Sequence, residues 1–409
     1  MTPMLRQYLE IKEQHPGTIL FYRMGDFYEM FFEDAETASR VLSITLTSRN
    51  KGGENQVPMC GVPFHAVSGY LSKMVKAGYR VALCEQVEDP KEAKGIVKRE
   101  VVRVVTPGVT TDDQILDAKS NTFVCALTVA RKRKKLLNVG LSFLDVSTGN
   151  FLISEIPLQD SNLDPVIDEI TRMQPAELLL SEKELEPLAD LWETLKTLLP
   201  GVCITEQQDF SFEYNTALTT LKEHFKTSSL AGFGCQDLPS AISAAGCLLS
   251  YIQETQKTEL SFIRQLRLLT RSSSLIIDES SRRNLELTET IIGGKRKGSL
   301  LSVLDLTSTP MGARLLRQRL LFPLQNRERI EQRLAGVEIL LADLILRREM
   351  QDQLSGIYDI ERLCSRLVLG HGNARDMAAL KQSLGQLPEL QKQLMNTPVG
   401  LLQDIGMEL

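Results

Sequence analysis

Apolar and polar positions follow three different patterns along the chain. In the first part, residues 4–14 place Leu5, Leu9 and Ile11 at helical spacing and stop at Pro16-Gly17. Residues 18–22 are β-branched, aliphatic or aromatic and predict a strand. Gly25-Asp26 breaks that strand, and Ala35, Ala38, Val41 and Leu42 then share one helical face. Phe27, Tyr28 and Glu29 are therefore expected on a strand-to-helix turn. A short strand at 43–47, a polar loop at 49–56, a helix at 66–77 and strands at 80–84 and 100–105 follow. Thr106-Pro107-Gly108 ends the pattern, and a linker begins at Thr110.

The second part opens with three alternating runs, 122–129, 137–145 and 150–156, which predict an antiparallel meander. The basic run 131–135 is expected to fill its first turn, and Ser147-Thr148-Gly149 its second. Asp164 then reads as a helix cap with Pro165 at the first helical position, and the helix is expected to stop before Pro175. Strands at 177–180 and 202–205 alternate with helical stretches. A meander followed by α/β alternation predicts a ribonuclease-H-like unit. From 256 onward the spacing is helical. Residues 312–321 form a basic amphipathic stretch whose arginines, Arg314, Arg317 and Arg319, are expected to face solvent. Further helices are expected at 327–344, 347–354 and 374–394, the last kinked or split at Pro388. The fold class is multidomain α/β plus all-α: a small mixed α/β domain at 1–112, a ribonuclease-H-like α/β domain at 118–255 and a helical domain at 256–409.

Composition narrows the picture. The chain has 409 residues, 43% of them hydrophobic, enough for about two to four domains. Its formal net charge is −5, so any nucleic-acid contact must come from local patches. Seven cysteines are scattered without a C-x-x-C pair, which argues against a disulfide framework or a zinc ribbon and fits a reducing cytoplasm. There is no apolar signal region and no run long enough to cross a bilayer. Gly293 to Ser299 fails the phosphate-loop spacing, because Gly298 is followed by serine. Asp145 is the one strand acid placed where a nuclease would need several, so metal-dependent cleavage is not expected.

Candidate chemistry centres on Phe27 and Glu29. Spacing alone favours a plain reading, with Phe27 in the core and Glu29 near a helix N-terminus. The same pair also presents a flat ring for stacking and a carboxylate for hydrogen bonding to one flat partner. Met24, Tyr28, Pro58 and Met59 lie close in sequence or motif, and Arg49, Lys51, Lys94, Lys98, Arg99 and Arg103 are candidate phosphate contacts.

Several stretches carry a resemblance. They are Thr2-Pro3-Met4, the run from Phe21 to Glu29, the run from Val57 to Ala66, Val105-Thr106-Pro107-Gly108, Arg282-Arg283-Asn284-Leu285-Glu286, and the run from Leu304 to Gly312. Together, and in this order, they resemble the MutS family of DNA mismatch repair proteins over almost the whole chain. The resemblance implies mismatch-binding, connector and helical core domains. It implies that Phe27 is a wedge and Glu29 a base-contacting carboxylate. Met24, Tyr28, Arg49, Lys51, Pro58, Met59 and Arg99 become possible DNA contacts. Implied partners are duplex DNA with mismatches or small loops, a MutL-type repair protein and, for the full-length protein, a second copy. The chain by itself is expected to be a monomer or weak dimer, in the bacterial cytoplasm with the nucleoid. The family's clamp and ATPase are not recognisable here, so ATP and Mg are expected only in a missing C-terminal region, and no ATP hydrolysis is expected from this chain. Two rival classes remain: a protein-interaction scaffold, and a nuclease using the ribonuclease-H-like domain.

Overall fold

The computed structural model describes residues 2–49, 56–88, 95–133, 135–269 and 274–409. Lys51 and Lys94 lie outside the described residues.

The first unit is one mixed sheet with helices on both faces. Its elements are α1 (Pro3–Gln14), β1 (Thr18–Met24), β2 (Phe27–Phe31), α2 (Phe32–Leu42), β3 (Thr47–Arg49), β4 (Val57–Pro63), α3 (Val67–Lys76), β5 (Arg80–Gln86) and β6 (Arg99–Val105). The strand order is β3-β4-β2-β1-β5-β6, with β1 and β5 parallel and the other pairs antiparallel. One face packs Phe21, Tyr28 and Met30 against Ala35 and Ala38 of α2 and Leu71 and Met74 of α3. The other packs Leu20, Tyr22 and Phe31 against Leu5, Tyr8 and Ile11 of α1. Asp34 ties α1 and α2 to the sheet, accepting from the Tyr8 hydroxyl (2.9 Å), Lys12 Nζ (2.6 Å) and the Leu20 amide (2.9 Å).

Three expectations change here. Gly25-Asp26 is a two-residue hairpin turn, not a strand-to-helix turn. The aromatic, alternating run from Phe27 to Phe31 is itself a strand, and the helical face starts only at Phe32. The strand expected at 43–47 sits at Thr47–Arg49, because Ser43 closes α2 in the left-handed conformation, φ 56°. Val57–Pro63, not read as a strand, pairs with both β2 and β3; its prolines lie near its ends, where a missing amide costs least.

The second unit contains β7 (Val124–Lys132), β8 (Lys135–Asp145), β9 (Asn150–Pro157), α4 (Asp164–Met173), β10 (Glu177–Ser181), α5 (Ala189–Leu198), β11 (Cys203–Gln207), α6 (Tyr214–Phe225), α7 (Pro239–Gln256) and β12 (Leu266–Leu268). The order is β11-β10-β7-β8-β9-β12. The meander β7-β8-β9 is antiparallel, and β10 and β11 extend it in parallel from β7, the ribonuclease-H-like arrangement. The helical pattern expected from 256 is interrupted by β12, which pairs in parallel with β9. The first turn is narrower than the basic run: β7 continues through Lys132 and β8 begins at Lys135, while Arg131 pairs with Glu184. Asp164 opens α4 rather than capping it, and the Asn162 side chain accepts its amide at 2.9 Å. Asp145 is buried and builds the second turn, accepting from the Ser147 amide (2.9 Å), the Ser147 hydroxyl (2.7 Å) and Asn121 Nδ2 (2.7 Å).

The last part holds α8 (Glu279–Asn284), α9 (Leu300–Leu304), α10 (Pro310–Leu321), α11 (Arg327–Ala342), α12 (Leu344–Ser355), α13 (Ile360–Val368), α14 (Ala374–Met395) and α15 (Leu401–Glu408). α14 runs through Pro388 as one helix rather than splitting there. Arg314, expected in solvent, is 4% exposed and held by Asp359 (2.7 Å) and Glu361 (2.6 Å). These helices grip the linker between the two sheets. Arg362 donates to the carbonyls of Asp117 (2.9 Å) and Ser120 (2.7 Å), and Arg314 donates to that of Ala118 (2.9 Å).

Candidate nucleic-acid interface

The hairpin of β1 and β2 sets the geometry. Met24 pairs with Phe27 across a two-residue loop whose first member, Gly25, has φ +57°. A turn of this length takes a positive φ at its first position when its twist matches the strands, and glycine supplies it without strain. The tip is tied to the end of β4 by the Phe64 amide, which donates to the Asp26 carbonyl at 2.8 Å. Behind the tip the Arg23 guanidinium lies 3.4 Å from the centre of the Phe64 ring and 5.6 Å from that of Tyr28.

Strand alternation then sorts the reader residues. Phe27, Glu29 and Phe31 point to one face; Tyr28 and Met30 point to the other, into the core shared with α2 and α3. Phe27 is 47% exposed, so the plain core reading fails. Tyr28, expected as a possible DNA contact, is 2% exposed and its hydroxyl donates to Glu85. It is one residue out of register for the open face. Burial and the Glu85 carboxylate both push its hydroxyl titration above the ordinary range.

Across the sheet, Phe27 sits between Met24 of β1 and Pro63 of β4, and Glu29 between Tyr22 and Gly61. Gly61 leaves the opening. A Cβ there would lie 3.6 Å from Glu29 Cγ and 3.9 Å from the Phe27 ring, covering both. The sequence reading passes over Gly61; a glycine flanked by Val57, Met59 and Val62 is the signal that could find it. Among the described residues, Glu29 Oε2 is buried and accepts no hydrogen bond. Its neighbour is Arg49 Nη1 at 3.5 Å, from the last residue of the edge strand β3. Burial raises the Glu29 carboxyl titration above its ordinary value, and the Arg49 guanidinium pulls it partly back.

Met24, Pro58 and Met59 are half-buried, with Met24 and Met59 packed on the cluster under α1. Arg99, expected to contact phosphate, is 8% exposed and turned inward. It donates to the carbonyls of Arg23 (2.8 Å) and Val97 (3.0 Å), to Gln7 Oε1 (3.2 Å) and to Met24 Sδ (3.6 Å). The strand is the reason: its backbone carbonyl neighbours offer acceptors that a sequence does not display. Lys98 stays in solvent beside Glu100 at 2.6 Å. Arg103 faces away from the patch, 3.4 Å from His371 of the helical part. The structure thus brings together Phe27, Glu29, Arg49, Met24 and Met59 and removes Tyr28 and Arg99. Among the described residues, the patch offers a ring for stacking, a carboxyl for hydrogen bonding and one partly exposed cation.

Comparison with known proteins follows the same division of the chain. A family model described as MutS domain I matches residues 2–114, one described as MutS domain II matches 122–264, and one described as MutS domain III matches 280–405. A protein of Desulfatibacillum aliphaticivorans named DNA mismatch repair protein MutS is 49% identical over 391 residues, covering 95% of this chain and 43% of that protein. Proteins of the same name from Alkaliphilus oremlandii and Halothermothrix orenii are each 43% identical, over 406 and 400 residues. They cover 99% and 96% of this chain and 45% and 43% of their own lengths. The chain therefore spans less than half the length of these relatives. No helix among the described residues is long and apolar enough to cross a membrane.

Proposed function

Because the chain belongs to the MutS family of DNA mismatch repair proteins, we propose that it recognises mismatched or unpaired bases in duplex DNA, with Phe27 as the wedge and Glu29 as the base-contacting carboxyl. The observation that carries this is the exposed Phe27 ring beside a Glu29 oxygen that lacks a hydrogen bond, with Gly61 keeping the space open.

A mispaired step is poorly stacked and deforms at lower cost than a matched one. Phe27 enters from the minor groove and stacks on one mispaired base. Glu29, two residues along the same strand face, hydrogen-bonds the edge of that base. A duplex that offers no partner leaves a buried carboxyl facing phosphates, which is unfavourable. Discrimination therefore reads deformability first and base edges second. Met24 lies beside the wedge, Met59 shares its sheet face farther along β4 while Pro58 has the opposite parity, and Arg49 supplies a phosphate contact.

The reading assigns no ATP turnover to these 409 residues and places ATP and Mg elsewhere in the full-length protein. A MutL-type repair partner, a homodimer of the full-length protein and a bacterial cytoplasmic, nucleoid-associated setting belong to the same proposal. Fluorescence anisotropy with G·T and matched duplexes at one fixed salt tests it. Tighter binding to G·T that disappears in Phe27→Ala is expected. Equal binding of both duplexes by the unaltered chain overturns the proposal for these residues.

A further inference from the structure

The Arg49–Glu29 pair is loose in a way that points to movement. The two groups approach to 3.5 Å without a hydrogen bond, and the Arg49 side chain is 39% exposed. Arg49 stands at the end of the edge strand and reaches back past the Phe31 ring, its guanidinium 5.9 Å from the ring centre. The other elements around Glu29 offer little to hold it. Tyr22 of β1 has its hydroxyl committed to Gln7 and its ring under Arg99 of β6, 4.9 Å away. Gly61 of β4 has no side chain. Among the described residues, Arg49 is the cation in ion-pair range of this carboxylate.

From this geometry we infer that Arg49 is the counter-ion of Glu29 in the free protein and gives Glu29 up to bind a backbone phosphate when a duplex docks, whereupon Glu29 takes one proton from solvent and donates a hydrogen bond to the mispaired base. The inference rests on the mismatch-reading proposal and deepens it. A half-exposed pair of this length is weakly held. A phosphate offers the guanidinium a bidentate, charge-assisted partner in its place. Once Arg49 leaves, Glu29 is a largely buried carboxylate with no hydrogen bond, close to phosphates, and neutralisation is the favoured response. The neutral acid has an O–H to donate, which an unstacked mispaired base accepts. A matched pair keeps its edges engaged and bears the cost of protonation without that hydrogen bond. Arg49 is thus a positioning residue: it acts through Glu29 by setting when that carboxyl becomes neutral.

Two measurements test this. In the free chain, carboxyl carbon NMR of Glu29 is followed through a pH titration for the unaltered protein, Arg49→Gln and Arg49→Lys. The titration is expected to move up by about one pH unit in Arg49→Gln and to return towards the unaltered position in Arg49→Lys. An unmoved titration in Arg49→Gln overturns the inference. With DNA, G·T affinity of the unaltered chain is expected to fall about tenfold per pH unit above the free Glu29 titration, as uptake of one proton requires. In Arg49→Gln that decline should begin at higher pH. Affinity for G·T and matched duplexes should also weaken together, and the salt dependence should lose a slope of about one. A preference for G·T whose affinity does not change with pH in the unaltered chain, or an unshifted onset in Arg49→Gln, overturns the inference alone. No preference for G·T at any pH overturns the reading beneath it.

Discussion

Glu29 and Glu177 are both strand glutamates, one in each sheet, and they are finished differently. Glu177 is fully buried on β10. Its Oε1 accepts from the hydroxyls of Thr205 and Tyr251, both at 2.6 Å. Its Oε2 accepts from the Thr106 hydroxyl and, at 3.3 Å, from the Gly108 amide. Every one of those donors lies within the protein, and together they lock the start of the linker to the second sheet. Among the described residues, Glu29 has an oxygen with no hydrogen bond and a single loosely held cation. A buried carboxylate surrounded by donors is architecture. One left short of donors beside an exposed ring holds its capacity for something that arrives from outside.

The largest expected effect removes the architectural acid. Glu177→Ala strands the hydroxyls of Thr106, Thr205 and Tyr251 in the interior and should cost about 3 kcal/mol or more of stability, read from urea denaturation. The ratio of G·T to matched affinity should survive in the protein that folds. A lost ratio at retained stability would break the comparison.

Phe27→Ala is the reverse case. Discrimination should fall by about 1–3 kcal/mol, the usual worth of a ring stacked on a base, while stability changes by less than about 1 kcal/mol because the ring is half-exposed. Gly61→Val sharpens the role of the opening. Its side chain would cover Phe27 and Glu29, with its Cβ 3.3 Å from the Tyr28 carbonyl. Mismatch preference should drop several-fold, with a smaller loss on matched duplex.

The smallest effect is a pH dependence of stability. Burial raises the folded-state titration of Glu29 above that of the unfolded chain. Its stabilising contribution is therefore complete below the unfolded carboxylate range and is lost as pH rises through the folded value. Glu29→Gln lacks that loss. The stability of the unaltered chain relative to Glu29→Gln should fall as pH rises above the unfolded carboxylate range, by less than about 1 kcal/mol. A difference that grows with pH would mean that Arg49 outweighs burial.

Much of the fold was legible because period-two and helical patterns survive in single sequences. The meander is readable from alternation, and the two later strands as short runs between helical stretches. The hairpin at Gly25 was misread because the helical face beginning at Ala35 drew the helix forward over a strand. β4 was missed because two prolines and a glycine hide a strand whose ends and opening they build. At the site, the charged residues misled most. Arg99 and Arg314 look like surface cations in sequence, yet backbone carbonyls in one case and Asp359 and Glu361 in the other hold them inside. Tyr28 failed on parity, which is decided only once the strand and its register are known. Phe27 and Glu29 were singled out by spacing and given their roles by resemblance; their shared face and the gap left by Gly61 emerge only in three dimensions.

The most direct test of the wedge places 2-aminopurine beside a G·T mismatch and follows its fluorescence on binding. The account predicts a rise with the unaltered chain, none with Phe27→Ala, and none with the matched duplex. An equal rise with Phe27→Ala, or tight mismatch-selective binding with no rise at all, would contradict it.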